Sequence, residues 1–214
     1  HVDRSFVLDG VGVVATGTAL RGRVRSGDAL TLLPRGVQVR IRTVRANNTD
    51  VPEARAGERV ALGLHGVSRD DVQRGDVLAA GTYLPRSARI DVLYAGETKR
   101  QVLAHFGTDS APARLSILAP ELARLTFGKE VSTWHGERIV LRDPASHALL
   151  GGATVLDAEP PARGASKPER LAILERLKNA SPLELLERQS ADGVADLGWL
   201  ARNFHLGELP LREA

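Results

Sequence analysis

Few stretches of this chain hold residues in an order that chemistry could use. Gly12-x4-Gly17-Thr18 comes near a phosphate-binding loop. That motif needs a lysine after its second glycine, to reach the phosphates, and a helix behind it. Here Thr18 follows Gly17 and the flanking residues read as strand, so the glycines read as turn residues of a barrel. The chain by itself should not hydrolyse a nucleoside triphosphate. Its histidines (His1, His65, His105, His135, His147 and His205) are scattered, with no spacing typical of a metal site. No Gly-x-Ser-x-Gly elbow is present and there is no cysteine, so neither serine nor thiol catalysis is expected. No catalytic or metal-binding residue is assigned. What remains is charge: Arg4 beside Asp3, and Arg59 after Ala56-Gly57-Glu58, each at the end of a β-type run. Taken alone, both arginines read as surface cations.

The distribution of charge narrows the partners. The 214 residues carry a net charge of +3. Residues 1–81 hold 12 Arg against 9 Asp and Glu, whereas 82–160 and 161–214 are each balanced, so the whole excess lies in the first segment. Such an excess is compatible with a polyanionic partner without demanding one. Hydrophobic content of 43% and charged content of 26% fit a globular protein. No apolar run approaches the ~18 residues needed to span a bilayer, and no signal peptide is visible. The expected location is the cytoplasm. There is no methionine, which makes His1 read as an internal cut in a longer protein.

The elements that must position the charges fall into successive segments. Residues 1–81 show short β-branched runs broken by glycine turns: Val11 to Thr16, Ala29 to Leu33, the period-2 run Val37 to Val44, and Arg59 to Leu64. A second set occupies 82–158, with strands over Ala88 to Tyr94, Gln101 to Phe106, Ala113 to Leu118, Glu137 to Arg142 and Ala153 to Leu156. The expected fold class is therefore mostly β, two consecutive small antiparallel barrels. Residues 159–168 read as a linker by composition. In 169–214 the period turns helical. Ser166 with Glu169 has capping-box spacing ahead of Leu171, Leu174 and Leu177. Ser181-Pro182-Leu183-Glu184 combines a serine cap, proline at the first helical position and glutamate at the third. A third helix is expected through Leu197, Leu200 and Ala201, stopping before Gly207. Three short helices without a β-hairpin wing suggest the start of a winged-helix domain.

The first barrel resembles the second domain of translation elongation factors. The residues that carry the likeness are Phe6, Gly10-x-Gly12-x-Val14-x-Thr16-Gly17, Gly22, Val24, Gly27-Asp28, Ala54 to Leu62, and Arg74-Gly75-Asp76-Val77-Leu78. The tail of the second barrel, Arg138 to Pro144 with Leu150 to Asp157, is similar to the selenocysteine-specific factor rather than the ordinary one. A linker leading to helices of winged-helix type also fits that factor alone.

The resemblance implies that the first barrel forms one wall of a pocket for the aminoacyl end of a tRNA, a G domain forming the other. Asp3 and Arg4 fall where the ordinary factor has an acidic pair, and Arg59 where it has an asparagine. Arg45 falls near a position that touches the terminal adenosine. These four residues are the candidate selenocysteyl-tRNA-binding set. A selenol is more acidic than a thiol, so esterified selenocysteine should be largely anionic at neutral pH. A charge-assisted hydrogen bond to that anion contributes about 1.5–3 kcal/mol, or roughly 10- to 150-fold per contact. Seryl-tRNA offers only a neutral hydroxyl, and Asp3 could hold the two arginines against mutual repulsion. Arg21, Arg23, Arg25, Arg40 and Arg42 alternate along strands, where they could face the acceptor arm or simply solvent.

The resemblance further implies GTP and Mg in a G domain outside this chain, the ribosome as partner, and an mRNA hairpin bound through further winged helices. It also implies a monomer. A general or initiation-type tRNA-delivering factor is the rival within the superfamily. A β-barrel interaction module without a ligand pocket is the rival outside it.

Overall fold

In the computed structural model, residues 1–81, 84–179, 181–191, 196–204 and 206 are described. The chain forms two compact units, His1–Thr82 with Gly107–Asp109, and Tyr83–Phe106 with Ser110–Ala214.

The first unit contains β1 (Val2–Leu8), β2 (Gly12–Thr18), β3 (Arg23–Arg25), β4 (Ala29–Leu33), β5 (Val37–Ala46), β6 (Thr49–Asp50), β7 (Glu53–Arg55), β8 (Arg59–His65) and β9 (Val77–Ala79). The main sheet runs β1-β2-β8-β5-β4-β9, with β6 on β5, and β3 and β7 form a separate ribbon. All these pairings are antiparallel. Sheet and ribbon share one core, in which Val13, Val24, Leu32, Ile41, Ala54 and Leu62 are buried. The ladder itself does not close into a ring. Its two edges are bridged instead at Val2, whose N–H donates to the Asp76 carbonyl and whose carbonyl accepts from the Gly75 N–H.

The second unit contains β10 (Ser87–Gly96), β11 (Gln101–Phe106), β12 (Asp109–Ala119), β13 (Leu122–Val131), β14 (Arg138–Arg142) and β15 (Leu149–Asp157). These six close a true barrel in the order β10-β13-β12-β11-β14-β15. Its interior is filled by Ile90, Val92, Val102, Leu125, Phe127, Leu141 and Val155. Strand β13 has no counterpart in the sequence reading. Both its faces are covered: Ala123, Leu125 and Phe127 enter the barrel core, while Leu122 and Arg124 are buried on the other side. Two-sided burial erases the alternation that marks a strand.

Helices α1 (Pro168–Leu177), α2 (Pro182–Ala191) and α3 (Leu197–Asn203) complete this unit. They pack on the outside of the barrel through Leu174, Leu177, Leu185, Leu200 and Phe204 against Leu122 and Leu156. The capping box expected at Ser166 and Glu169 does not form. α1 starts at Pro168, and its N-cap is Lys167, which makes no side-chain cap hydrogen bond. A residue before proline is pushed out of the helical region, so Lys167 cannot be the first helical residue; proline takes that position. The second box does form, with Ser181 N–H donating to Glu184 Oε2 and Glu184 N–H to Ser181 Oγ. α3 is capped by Asp196, which accepts from the Trp199 N–H at 2.8 Å. α3 ends at Asn203, ahead of Gly207 as expected, whereas the end of the segment 169–214 lies outside the described residues.

Candidate functional site

Pairing across four strands sets out the outer face of the first unit. Arg4 lies opposite Thr16, Thr16 opposite Ala61, and Ala61 opposite Arg45. Directly opposed residues share a sheet face. The neighbouring row, Val2, Gly17, Val60 and Ala46, supplies the core, so the arginine row faces outward. Arg59 is opposite Thr18 and two residues from Ala61, which puts it on the same outer face.

Asp3 reaches this face through a bulge. The register of β1 on β2 shifts between Val2 and Arg4, leaving Asp3 as the extra residue against Thr16. Gly17 permits the close approach, since a Cβ there would lie 1.9 Å from the His1 carbonyl oxygen. The Thr16 hydroxyl donates to Asp3 Oδ1 at 2.5 Å, and Arg59 Nη1 meets Oδ2 at 2.6 Å. Burial opposes ionisation of Asp3, but the Thr16 hydroxyl, the Arg59 guanidinium and the nearby Arg4 charge together hold its carboxyl below the ordinary value. The Asp3 side chain is 19% exposed and that of Arg59 59%. The guanidinium is thus anchored at one nitrogen and open to solvent elsewhere. Among the described residues no other partner is present for it.

Of the four candidate residues Asp3 and Arg59 therefore meet, while Arg4 lies on the same face, its charge acting on the Asp3 carboxylate. Arg45 lies diagonal to Arg59 across β5 and β8. Its guanidinium turns away to Asp50, at 3.1 Å, and to the Asn48 carbonyl, at 2.7 Å. Thr16 is the residue that the sequence reading missed. It stands in the Thr-Gly pair of the motif, but only the bulge reveals that its hydroxyl meets a carboxylate.

The remaining arginines divide. Arg23, Arg25 and Arg55 converge on the single carboxylate of Glu53 along the β3–β7 ribbon. Arg40 and Arg42 lie exposed on β5. The glycines of Gly12-x4-Gly17-Thr18 belong to strand β2, with no helix after them. None of the described helices is long and apolar enough to cross a membrane.

Comparison with known proteins adds independent information. Residues 12–79 match the family model for elongation factor Tu domain 2. Residues 94–162 match that for the β-barrel domain of selenocysteine-specific elongation factors. The chain is 34% identical over 207 residues to a selenocysteine-specific elongation factor of Escherichia coli K12, covering 92% of this chain and 34% of that protein. Its likeness to the factor of the same description from Haemophilus influenzae is 30% over 215 residues, covering 92% and 35%. A crystal structure of the bacterial selenocysteine-specific elongation factor EF-Sec superposes with a TM-score of 0.81 at 27% identity, covering 95% of this chain and 34% of that one. The chain thus spans about a third of the length of the relatives it matches.

Proposed function

The two β modules of this chain belong to the selenocysteine-specific elongation factor family, and from that premise we propose that they bind the aminoacyl end of selenocysteyl-tRNA in a factor that delivers it to the ribosome. GTP and Mg would be held by a G domain outside this chain. The three helices would open a winged-helix extension that engages an mRNA hairpin, and the whole would work in the cytoplasm as a monomer.

The observation that supports this most strongly is the half-used guanidinium of Arg59. One nitrogen is fixed by Asp3, while the side chain as a whole stays largely exposed on the same face as Arg4. A deprotonated selenium atom matches such a site in charge. Asp3 takes a positioning role: it fixes Arg59 and offsets the repulsion between the two arginines, and Thr16 in turn orients Asp3. The neutral hydroxyl of a seryl group gains no ion pair and leaves both cations partly desolvated, which disfavours it. Arg45, already engaged in its own hairpin, would contact the adjacent terminal nucleotide or only solvent.

Equilibrium binding of selenocysteyl- and seryl-tRNA by the intact factor, with and without Arg59→Asn, tests the proposal. The unmutated factor should prefer selenocysteyl-tRNA by roughly 10- to 150-fold per charged contact, and the variant should narrow that preference. Equal affinity for the two tRNAs in the unmutated factor would contradict it.

A further inference from the structure

Beneath the helices of the second unit lies a charge cluster that the proposed function does not use. Asp91 on β10 is fully buried, and two arginines fork onto it. Arg124 of β13 donates from Nε at 2.6 Å and Nη2 at 2.9 Å. Arg170 of α1 donates from Nε at 3.1 Å and Nη2 at 2.6 Å. The same Arg170 Nη2 reaches Asp157, at the end of β15, at 2.7 Å. The four side chains balance in charge, and none is more than 9% exposed.

Around this square the segment after β15 is stitched down from both sides. Arg124 donates from Nη1 to the Pro161 carbonyl at 2.9 Å. From α3, the Trp199 indole N–H donates to Asp157 Oδ1 at 3.3 Å, and Arg202 meets Glu159 at 2.9 Å. Asn203 accepts from the Ala158 N–H and donates to the Leu156 carbonyl.

The barrel does not need these helices to close. Its ring of six strands is complete, and its interior cluster shares no residue with the cluster under the helices. The apolar contacts of Leu174, Leu177 and Leu200 with Leu122 and Leu156 supply attraction without direction. Direction comes from the forked guanidinium groups, whose geometry admits one arrangement. A buried ionic square is also brittle, because removing one member leaves an uncompensated charge where water is excluded.

We propose that Asp91, Arg124, Arg170 and Asp157 form a releasable latch that locks α1–α3 onto the barrel in one orientation, and that the helices detach with the barrel intact when it opens. The stretch 159–167 then acts as a strap held in place by the latch rather than as a free tether. Arg170, the only latch residue on the helices, is the point of release.

Hydrogen exchange of the 214-residue chain, with and without Arg170→Met, tests this without reference to the tRNA reading. Peptides covering α1 and α3 should lose protection by about a hundredfold or more, the lower end for a buried charge left unpaired. Peptides from β11 and β14 should keep theirs. Should Arg170→Met give no folded protein, Arg170→Lys, which keeps a cation without the fork, carries the same comparison. Unchanged protection of α1 and α3 would overturn the latch. Equal loss in helices and barrel would overturn it too, because the two would then open as one body.

Discussion

Asp3 and Asp91 each hold arginine, Asp3 on the open face of the first module and Asp91 under the helices of the second. Asp3 meets one guanidinium and one hydroxyl, and its arginine keeps most of its surface in water. Asp91 meets two guanidinium groups, each through two nitrogens, with nothing left over for a ligand. Identical side chains thus do different work according to how many donors remain unspent and whether water can reach them. A saturated, covered pair specifies an arrangement of the fold, whereas a half-used, exposed one is available to an incoming anion.

The largest expected effect sharpens the buried side of that contrast. Asp91→Asn leaves Arg124 and Arg170 without their shared charge, a loss of about 3–5 kcal/mol for a broken buried pair. For a chain of this size that lowers the thermal midpoint by roughly 6–20 °C. Calorimetry of the 214-residue chain reads this directly, and an unchanged midpoint would show that the cluster is not stabilising as drawn. Asp3→Asn, by contrast, should leave the midpoint nearly where it is, since one partner is exposed to solvent.

Next in size is Arg59→Asn, which removes about 1.5–3 kcal/mol of preference for an anionic aminoacyl group. Competition between the two charged tRNAs measures it, and affinity for seryl-tRNA should hold or rise slightly, because one of the cations it leaves partly desolvated is gone. A parallel loss for both tRNAs would mean that Arg59 supports the fold or the tRNA backbone instead.

Thr16→Val should act less strongly, removing a single hydrogen bond of about 1 kcal/mol. Its signature is in pH. The Asp3 carboxyl is held below its ordinary value, so its contribution is present above that ordinary value and disappears as pH falls through the lowered one. Without the Thr16 hydroxyl the lowered value moves back up, and the loss begins at a higher pH. Carboxyl-carbon NMR titration of Asp3 follows the shift, which Thr16→Ser should reverse. A titration identical in all three proteins would remove Thr16 from the account.

The smallest change is expected from Glu53→Gln on the β3–β7 ribbon. Arg23, Arg25 and Arg55 surround this carboxylate and are themselves exposed, and ion pairs to exposed partners contribute little to stability. Thermal stability should stay constant, while binding to single-stranded RNA should strengthen at low salt and lose the gain at high salt. Salt-independent binding would argue against a polyanion on this ribbon.

Much of this architecture is legible from residue order. The period-2 run Val37 to Val44 lies within β5, and the Ser181 capping box forms as the sequence suggests. What stayed hidden depends on partners that a single strand does not reveal. The bulge at Asp3 is a property of the register between β1 and β2, and without it the Thr16 contact has no visible cause. Arg124 stands on β13, and its partner Asp91 is shared with Arg170, on a helix more than forty residues away in sequence. Pro168 overrode the Ser166 cap because proline constrains the residue before it more firmly than a serine hydroxyl attracts the helix start. Closure of the first sheet through Val2, rather than through a continuous ladder, likewise depends on a pairing between residues more than seventy apart in sequence.

The preference of the intact factor for selenocysteyl- over seryl-tRNA, followed from neutral to acidic pH, probes the charge match at Arg4 and Arg59 most directly. If the arginines respond to negative charge on selenium, the ratio of affinities should collapse as the selenol takes up its proton, while seryl-tRNA binding stays level. A ratio that holds constant through that protonation would contradict the electrostatic origin of the selectivity.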